Sequence, residues 1–313
     1  MSRPYISVVC PVMRPGGLDV LFNSLERQTF RDFELVLCDS LYKYRKDMVK
    51  EKASSFSFPY KHITPIIDNF PVQCFSHAVN SAIVNASGEV IVFTTDYRHF
   101  MPTSLEKHAI FHRSNPDNYA YAPPSKFVLP PPMKQGLPSY GRNLDYEQYV
   151  KDLDNGKLQP YMWSIFENDL FDTYQDPSNW EEIDRIKVGY DPKTDVSPGV
   201  EASPLHIYLQ SESVKTKLVL EANGLNEELD GAHSYQDIEF SHRLRNLFGL
   251  KWIGDNTNPT YRITGGHNII SKIKLTPMAE GSAAAIFEKY KNGSTDKVNT
   301  WGLIDKHREI NGT

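Results

Sequence analysis

The sequence predicts an α/β protein built on a mostly parallel sheet with helices on both faces. Two observations carry this. Short β-branched apolar runs alternate with amphipathic helical segments through about residue 113, and strands separated by helices pair in parallel through right-handed crossovers, which covers both faces of the sheet. In such sheets ligands gather at the carboxyl ends of the strands.

The elements come in order. Ile6-Ser7-Val8-Val9-Cys10 is a buried strand stopped by Pro11, and a loop runs through Arg14-Pro15-Gly16-Gly17. Leu18, Leu21, Phe22 and Leu25 recur at helical spacing. Phe33 to Cys38 is a second apolar strand ending at Asp39. Val72, Phe75, Val79 and Ile83 mark another helix that stops near Gly88, and Glu89 to Phe93 is a third strand. Thr103-Ser104-Leu105-Glu106 has the form of a capping box and opens a further helix. The pattern then breaks. Residues 123–138 carry six prolines, too many for a helix or a central strand. Residues 145–201 hold 14 Asp or Glu against five Lys or Arg, a local balance of −9 that leaves the rest of the chain at +4. Order returns at Ser234-Tyr235-Gln236-Asp237, a second capping-box form, leading into a helix with Gly249 as its stop, and a tail helix runs from about Ser282 to Asn292.

Composition narrows the class. The 313 residues are 40% hydrophobic and 23% charged, ordinary for a globular protein, and long enough for one large domain with an elaboration. No apolar run approaches the roughly 20 residues of a membrane helix, and the N-terminus lacks the regions of a signal peptide, so a cytoplasmic location is expected. Cys10, Cys38 and Cys74 are too scattered for a disulfide framework or a zinc site, which suits a reducing compartment. The net charge of −5 opposes polyanion binding by the whole surface. Neither a P-loop nor a G-x-G-x-x-G turn is present. There remains a set of polar residues at strand ends and helix mouths: Asp39, Asp96, Asp237 and His267.

Four stretches resemble the family 2 glycosyltransferases of the GT-A fold. Ile6 to Val12 with Leu25-Glu26-Arg27-Gln28-Thr29-Phe30-Arg31-Asp32-Phe33-Glu34 looks like the family's first strand and its "SL-x-x-Q-T-[FY]-x-[DN]-[FY]-E" segment. Asn80 and Ala86-Ser87-Gly88-Glu89-Val90-Ile91-Val92-Phe93 resemble the stretch leading into the family's metal motif, and Met101-Pro102 resembles the segment just after that motif. Asn223-Gly224-Leu225-Asn226-Glu227 resembles "G-G-F-[DN]-E". Gln236-Asp237-Ile238-Glu239-Phe240 opens a match to "[GE]-[DE]-[VI]-[DE]-[LF]-x-x-R-[LI]". The resemblance covers about residues 4–113 and 211–270. It implies a Rossmann-like GT-A sheet divided into a nucleotide-sugar-binding half (1–122), a Pro-rich and acidic insertion on the acceptor side (123–210), an acceptor and catalytic part (211–270) and a helical tail (271–313).

Carried over by position, the resemblance implies an inverting transfer of a sugar from a nucleotide-diphosphate sugar to an acceptor hydroxyl. Asp39 matches the acid that hydrogen-bonds the nucleotide base, although a turn Asp fits the same place. Pro11, Val12, Arg14 and Asp68 match that pocket, and Arg14 fits a surface charge equally well. The family's Asp-x-Asp is degenerate here, reading Thr95-Asp96-Tyr97. Either Asp96 holds a divalent ion, Mn²⁺ or Mg²⁺, with the diphosphate and His267, or Arg98 takes the ion's place. Thr95 sits at the first of the usual acidic positions. Asp237 matches the base that deprotonates the acceptor, with a helix cap as the alternative. Trp163, Glu212 and Glu239 are weaker acceptor-side candidates, Trp163 suiting an insertion mini-core as well. The acceptor class implied is a glycan or polysaccharide precursor. A hydroxylated base in DNA, a sugar nucleotidyltransferase and a non-catalytic nucleotide-sugar-binding module are the alternatives.

Overall fold

The computed structural model describes residues 3–12, 18–66, 75–96, 98–129, 151–152, 154–157, 187–190, 193–232, 235–263, 277–298 and 302–312. Its centre is an eight-stranded sheet in the order β3-β2-β1-β4-β10-β6-β11-β9. The strands are β1 (Ile6–Val12), β2 (Phe33–Asp39), β3 (Tyr60–Ile63), β4 (Val90–Phe93), β6 (Tyr119–Ala122), β9 (Glu201–Ala202), β10 (Ser213–Lys215) and β11 (Lys251–Gly254). The first four are parallel, as the alternation of strands and helices requires. β10 runs antiparallel to both β4 and β6.

The period of two along β1 divides the core. Ile6, Val8, Cys10 and Val12 join one apolar cluster, which α1 (Leu18–Glu26), α2 (Tyr42–Ala53) and α4 (Ser104–Ser114) complete. Val9 points the other way, into a cluster with α3 (Phe75–Asn85), α5 (Thr216–Glu221), α6 (Gln236–Phe248) and α8 (Leu303–Asn311). The tail helix α7 (Pro277–Lys291) packs against α6. Cys10 and Cys38 are buried on opposite faces of the sheet. Among the described residues no helix is long and apolar enough to cross a membrane.

A second sheet, in the order β5-β12-β7-β8, joins segments distant in sequence: β5 (Arg98–Phe100), β7 (Ser125–Leu129), β8 (Lys187–Tyr190) and β12 (Thr260–Ile263). One expectation changes here. β7 lies between β12 and β8, so the Pro-rich stretch does hold an interior strand. It fits into the proline-free window between Pro124 and Pro130, and each backbone N–H remains available to the ladder. Within 123–210, β7 and β8 also build the second sheet and β9 edges the first.

Polar contacts fix the helices. Gln28 Oε1 accepts from Leu105 N at 3.0 Å while its Nε2 donates to Ser24 O and Met101 O, so α4 is capped from the end of α1. The capping box read at Thr103 does not form: Thr103 makes no side-chain cap bond, and Glu106 accepts from Thr29 instead. Ser213 of β10 lies 2.7 Å from His108 Nδ1 and 2.8 Å from His112 Nε2. Burial pushes both histidines down, His112 to about 3, and keeps them neutral.

At the opposite end of the sheet, Gly88 is required by close approach. A Cβ there would lie 2.6 Å from Ser7 N and 2.7 Å from Ile6 C, both backbone atoms. Gly88→Ala is therefore expected to cost about 1–3 kcal/mol, read as a lower urea midpoint at unchanged slope.

Candidate active site

The carboxyl ends of β1, β2 and β4 lie side by side, because Val12 pairs with Asp39 and Thr94 N donates to Val9 O at 2.9 Å. Pro11 is half-buried there. The Val12 side chain belongs to the core, so this residue meets the site through its backbone alone, where its carbonyl accepts from Ser40 N. Thr95 is half-buried and Asp96 buried at the turn after β4.

Asp39 is fully buried. Arg45 grips it with Nε to Oδ2 at 2.6 Å and Nη2 to Oδ1 at 2.7 Å; Leu41 N donates to Oδ1 at 2.8 Å, and His62 Nε2 lies 2.9 Å from Oδ2. Burial opposes its charge, but Arg45 and His62 outweigh it and draw the carboxyl down to about 2. Four contacts occupy the acceptor positions of a carboxylate. The expectation of a free base-binding acid is corrected by this geometry: Asp39 holds α2 and β3 against the strand ends. His62 in turn lines an open pocket of about 400 Å³ with Tyr42, Lys46, Asp47, Lys50 and Tyr60.

Arg98 also turns inward. It is fully buried on β5, donating from Nη1 to Ser125 at 2.6 Å and from Nη2 to Gln210 Oε1 at 2.6 Å. Its strand pairs it with Arg262, which reaches the same Gln210 oxygen at 3.4 Å. Arg98 thus links the second sheet to the loop before β10 rather than standing open in an ion's place.

That loop, 208–212, is tied by Glu212. Its carboxylate accepts from Tyr208 N at 3.1 Å, Gln210 N at 2.6 Å and Ser211 N at 2.9 Å, and Leu209 inside it has φ 49°. Glu212 is consumed by backbone and is no free acceptor contact. Glu239 is likewise corrected. It is fully buried against Arg243, with Nε to Oε1 at 2.7 Å, and Arg243 goes on to Ala222 O and Gly224 O. This pair holds the turn of the Asn223-Gly224-Leu225 stretch.

Asp237 differs from Asp39 and Glu239 in having no cation on it among the described residues. It lies in the first turn of α6, whose Phe240 packs on Phe93 at the end of β4, ring centroids 6.0 Å apart. Tyr235, just before the helix, takes a left-handed φ of 87°. Asp237 Oδ1 accepts from Ile238 N at 2.9 Å, so part of the capping alternative is realised by the residue itself. The residue keeps some surface open to solvent. Burial of the carboxyl pushes it up to about 7, Glu212 adding repulsion and the Ile238 and Asp237 amides opposing both. Asp237 combines a place at the start of α6 with a proton affinity near neutrality.

Arg14, Asp68, Trp163 and His267 lie outside the described residues. Among the described residues no group of three or more His, Cys, Asp or Glu is arranged to hold a metal ion. Asp96 supplies one carboxylate, so the described donors do not fit a divalent ion by themselves. Sequence reasoning missed Arg45, His62 and Gln210. Arg45 sits on a helix with almost no apolar period, and Gln210 on an irregular loop.

Solved structures place this architecture among known ones. Over 92% of this chain and 70% of the other, it is similar to S. aureus TarS 1-349 in complex with UDP, at 15% identity and a TM-score of 0.50. The structure of TarS 1-349 matches over the same shares at 16% and 0.52. The fold is the GT-A type. The longer S. aureus TarS structure is covered to 44% of its length by 94% of this GT-A chain, at 15% identity and a TM-score of 0.50. No protein-family model and no curated protein matches the sequence.

The raised Asp237 carboxyl fixes a sign for stability. Its ordinary value is 3.8, and the folded value is about 7, so the folded state holds a proton that the unfolded chain has lost between them. This contribution is complete below the unfolded value and vanishes as pH rises through the folded one. Asp237→Asn removes it, so the melting temperature of the variant relative to the native chain is expected to climb between pH 5 and pH 8.

Proposed function

We propose that this chain is an inverting glycosyltransferase that moves a sugar from a nucleotide-diphosphate sugar to an acceptor hydroxyl. The observation that carries the reading is Asp237, a carboxyl near neutrality at the mouth of α6, packed over the end of β4. The GT-A fold supports it, and the UDP-bound TarS structure makes a uridine diphosphate donor the first to test.

In this reading the acceptor O–H gives its proton to the Asp237 carboxylate as its oxygen attacks the anomeric carbon in line. The bond from that carbon to the diphosphate breaks with its electron pair, and the nucleoside diphosphate leaves from the opposite face. The first turn of α6 supplies backbone N–H groups that keep Asp237 oriented, and the loop fixed by Glu212 walls the same space. A half-buried Pro11 and Thr95 edge the donor side. No step is assigned to a metal ion. A saccharide hydroxyl is the acceptor class proposed, and the cytoplasm the proposed location.

Donor binding is measured by thermal shift across UDP-, GDP-, dTDP- and CMP-sugars, each with Mn²⁺, Mg²⁺ and EDTA. One nucleotide class is expected to raise the melting temperature by several degrees, and loss of that shift in EDTA would bring an ion into the site. Transfer is expected to rise with pH through about 7 as Asp237 ionises, and Asp237→Asn to lower kcat by about 10²–10⁴ with donor affinity kept. Full activity in that variant, or no shift with any donor, overturns the proposal.

A further inference from the structure

α3 and α6 begin on the same edge of the sheet, and one loop joins their starts. Asp230 accepts from the backbone N–H of Ser76 at 2.7 Å and of His77 at 3.0 Å, capping α3 from across the chain. The His77 ring lies between two carboxylates: Nδ1 is 2.6 Å from Asp230 Oδ2, and Nε2 is 3.3 Å from Glu227 Oε2. The second oxygen of Glu227 accepts from Asn80 Nδ2 at 2.8 Å, and Asn80 also pairs with Leu225 through both its N–H and its carbonyl. Downstream, Gln236 Nε2 donates to Leu229 O at 3.0 Å and Ala232 O at 3.2 Å. His77 thus holds Asp230 and Glu227, and Gln236, the residue preceding Asp237, holds Leu229 and Ala232 of the same stretch of chain.

We propose that His77, as an imidazolium clamped between Asp230 and Glu227, is a positioning residue that sets the pose of Asp237 by fixing residues 227–232, which Gln236 grips in turn. This rests on Asp237 being the base. The need for the imidazolium is electrostatic: two carboxylates converge on one partly buried ring, and a neutral ring offers a single N–H between them. Burial works against that charge, yet the Asp230 hydrogen bond and the fields of Glu227 and Asp230 outweigh it and hold His77 above its ordinary range. Among the described residues Asp230 and Glu227 are the charged groups that act on the ring. Below its folded pKa the ring satisfies both acids; as pH rises through that value the clamp loses its charge.

The test monitors Asp237 itself, by carboxyl ¹³C titration in protein labelled at Asp, together with amide hydrogen exchange, in the native chain, in His77→Gln and in Asp230→Asn. Asparagine keeps a capping oxygen for α3 and removes the charge. Both variants are expected to move the Asp237 titration by about half a unit or more, and to speed exchange over 227–239 about tenfold while α1 and α4 keep native rates. In the transfer assay kcat falls about tenfold, with donor KM within about twofold. An unchanged Asp237 titration and native exchange over 227–239 in either folded variant overturn the clamp. A native chain that transfers no sugar removes the glycosyltransferase reading alone, since titration and exchange still decide the clamp.

Discussion

β10 runs against β4 and β6, so its start lies at the carboxyl edge of the parallel strands. That reversal places the 208–212 loop, with its Glu212 clamp, beside the ends of β1 and β4. Phe93 N donates to Glu212 O at 2.9 Å, which joins the loop directly to β4. α5 then climbs back from the far edge, and the chain arrives at the start of α6 on the ligand side. Ser213 secures the arrangement through two neutral histidines of α4, a contact that needs no charge in a dry interior. A parallel strand here would have sent both the loop and Asp237 to the other end of the sheet.

Most acids at the ligand edge are occupied by the fold. Asp39 with Arg45, Glu239 with Arg243 and Glu212 with three amides are each saturated by protein donors. Buried ions are tolerated when their hydrogen bonds are complete, and breaking one leaves an uncompensated charge. Asp237 has two amides and, among the described residues, no cation, so burial raises its proton affinity to near neutrality. The contrast between carboxylates held by several protein donors and Asp237 singles out one acid at this end of the sheet.

The strongly apolar parts of this architecture were readable from the amino-acid order. β1, β2 and β4 are runs of Val, Ile, Leu and Phe, and α1 and α3 show a clear helical stripe. α2 and β3 were not, because Tyr42 to Ala53 buries Arg45, Val49 and Ala53 with little else apolar, and Tyr-Lys-His-Ile is half polar. Their place depends on Asp39, a contact between distant residues that no local period records. Within the site, position was legible and saturation was not. Motif spacing put Asp39, Glu239 and Arg98 at the right edges, but whether a side chain faces a cleft or another strand depends on partners such as His62 and Gln210, far away in sequence.

Leu209, Asn223 and Tyr235 are the non-glycine residues with left-handed backbones among those described, and all three fall in the return path between β9 and α6. Glycine at any of them would relax the native backbone, yet it would also multiply the conformations open to the unfolded chain. These gains and losses oppose each other. The bends that aim the 208–212 loop and the first turn of α6 are therefore held by side chains that restrict the chain before it folds, and local comfort and reproducible aim cannot be improved together by one substitution.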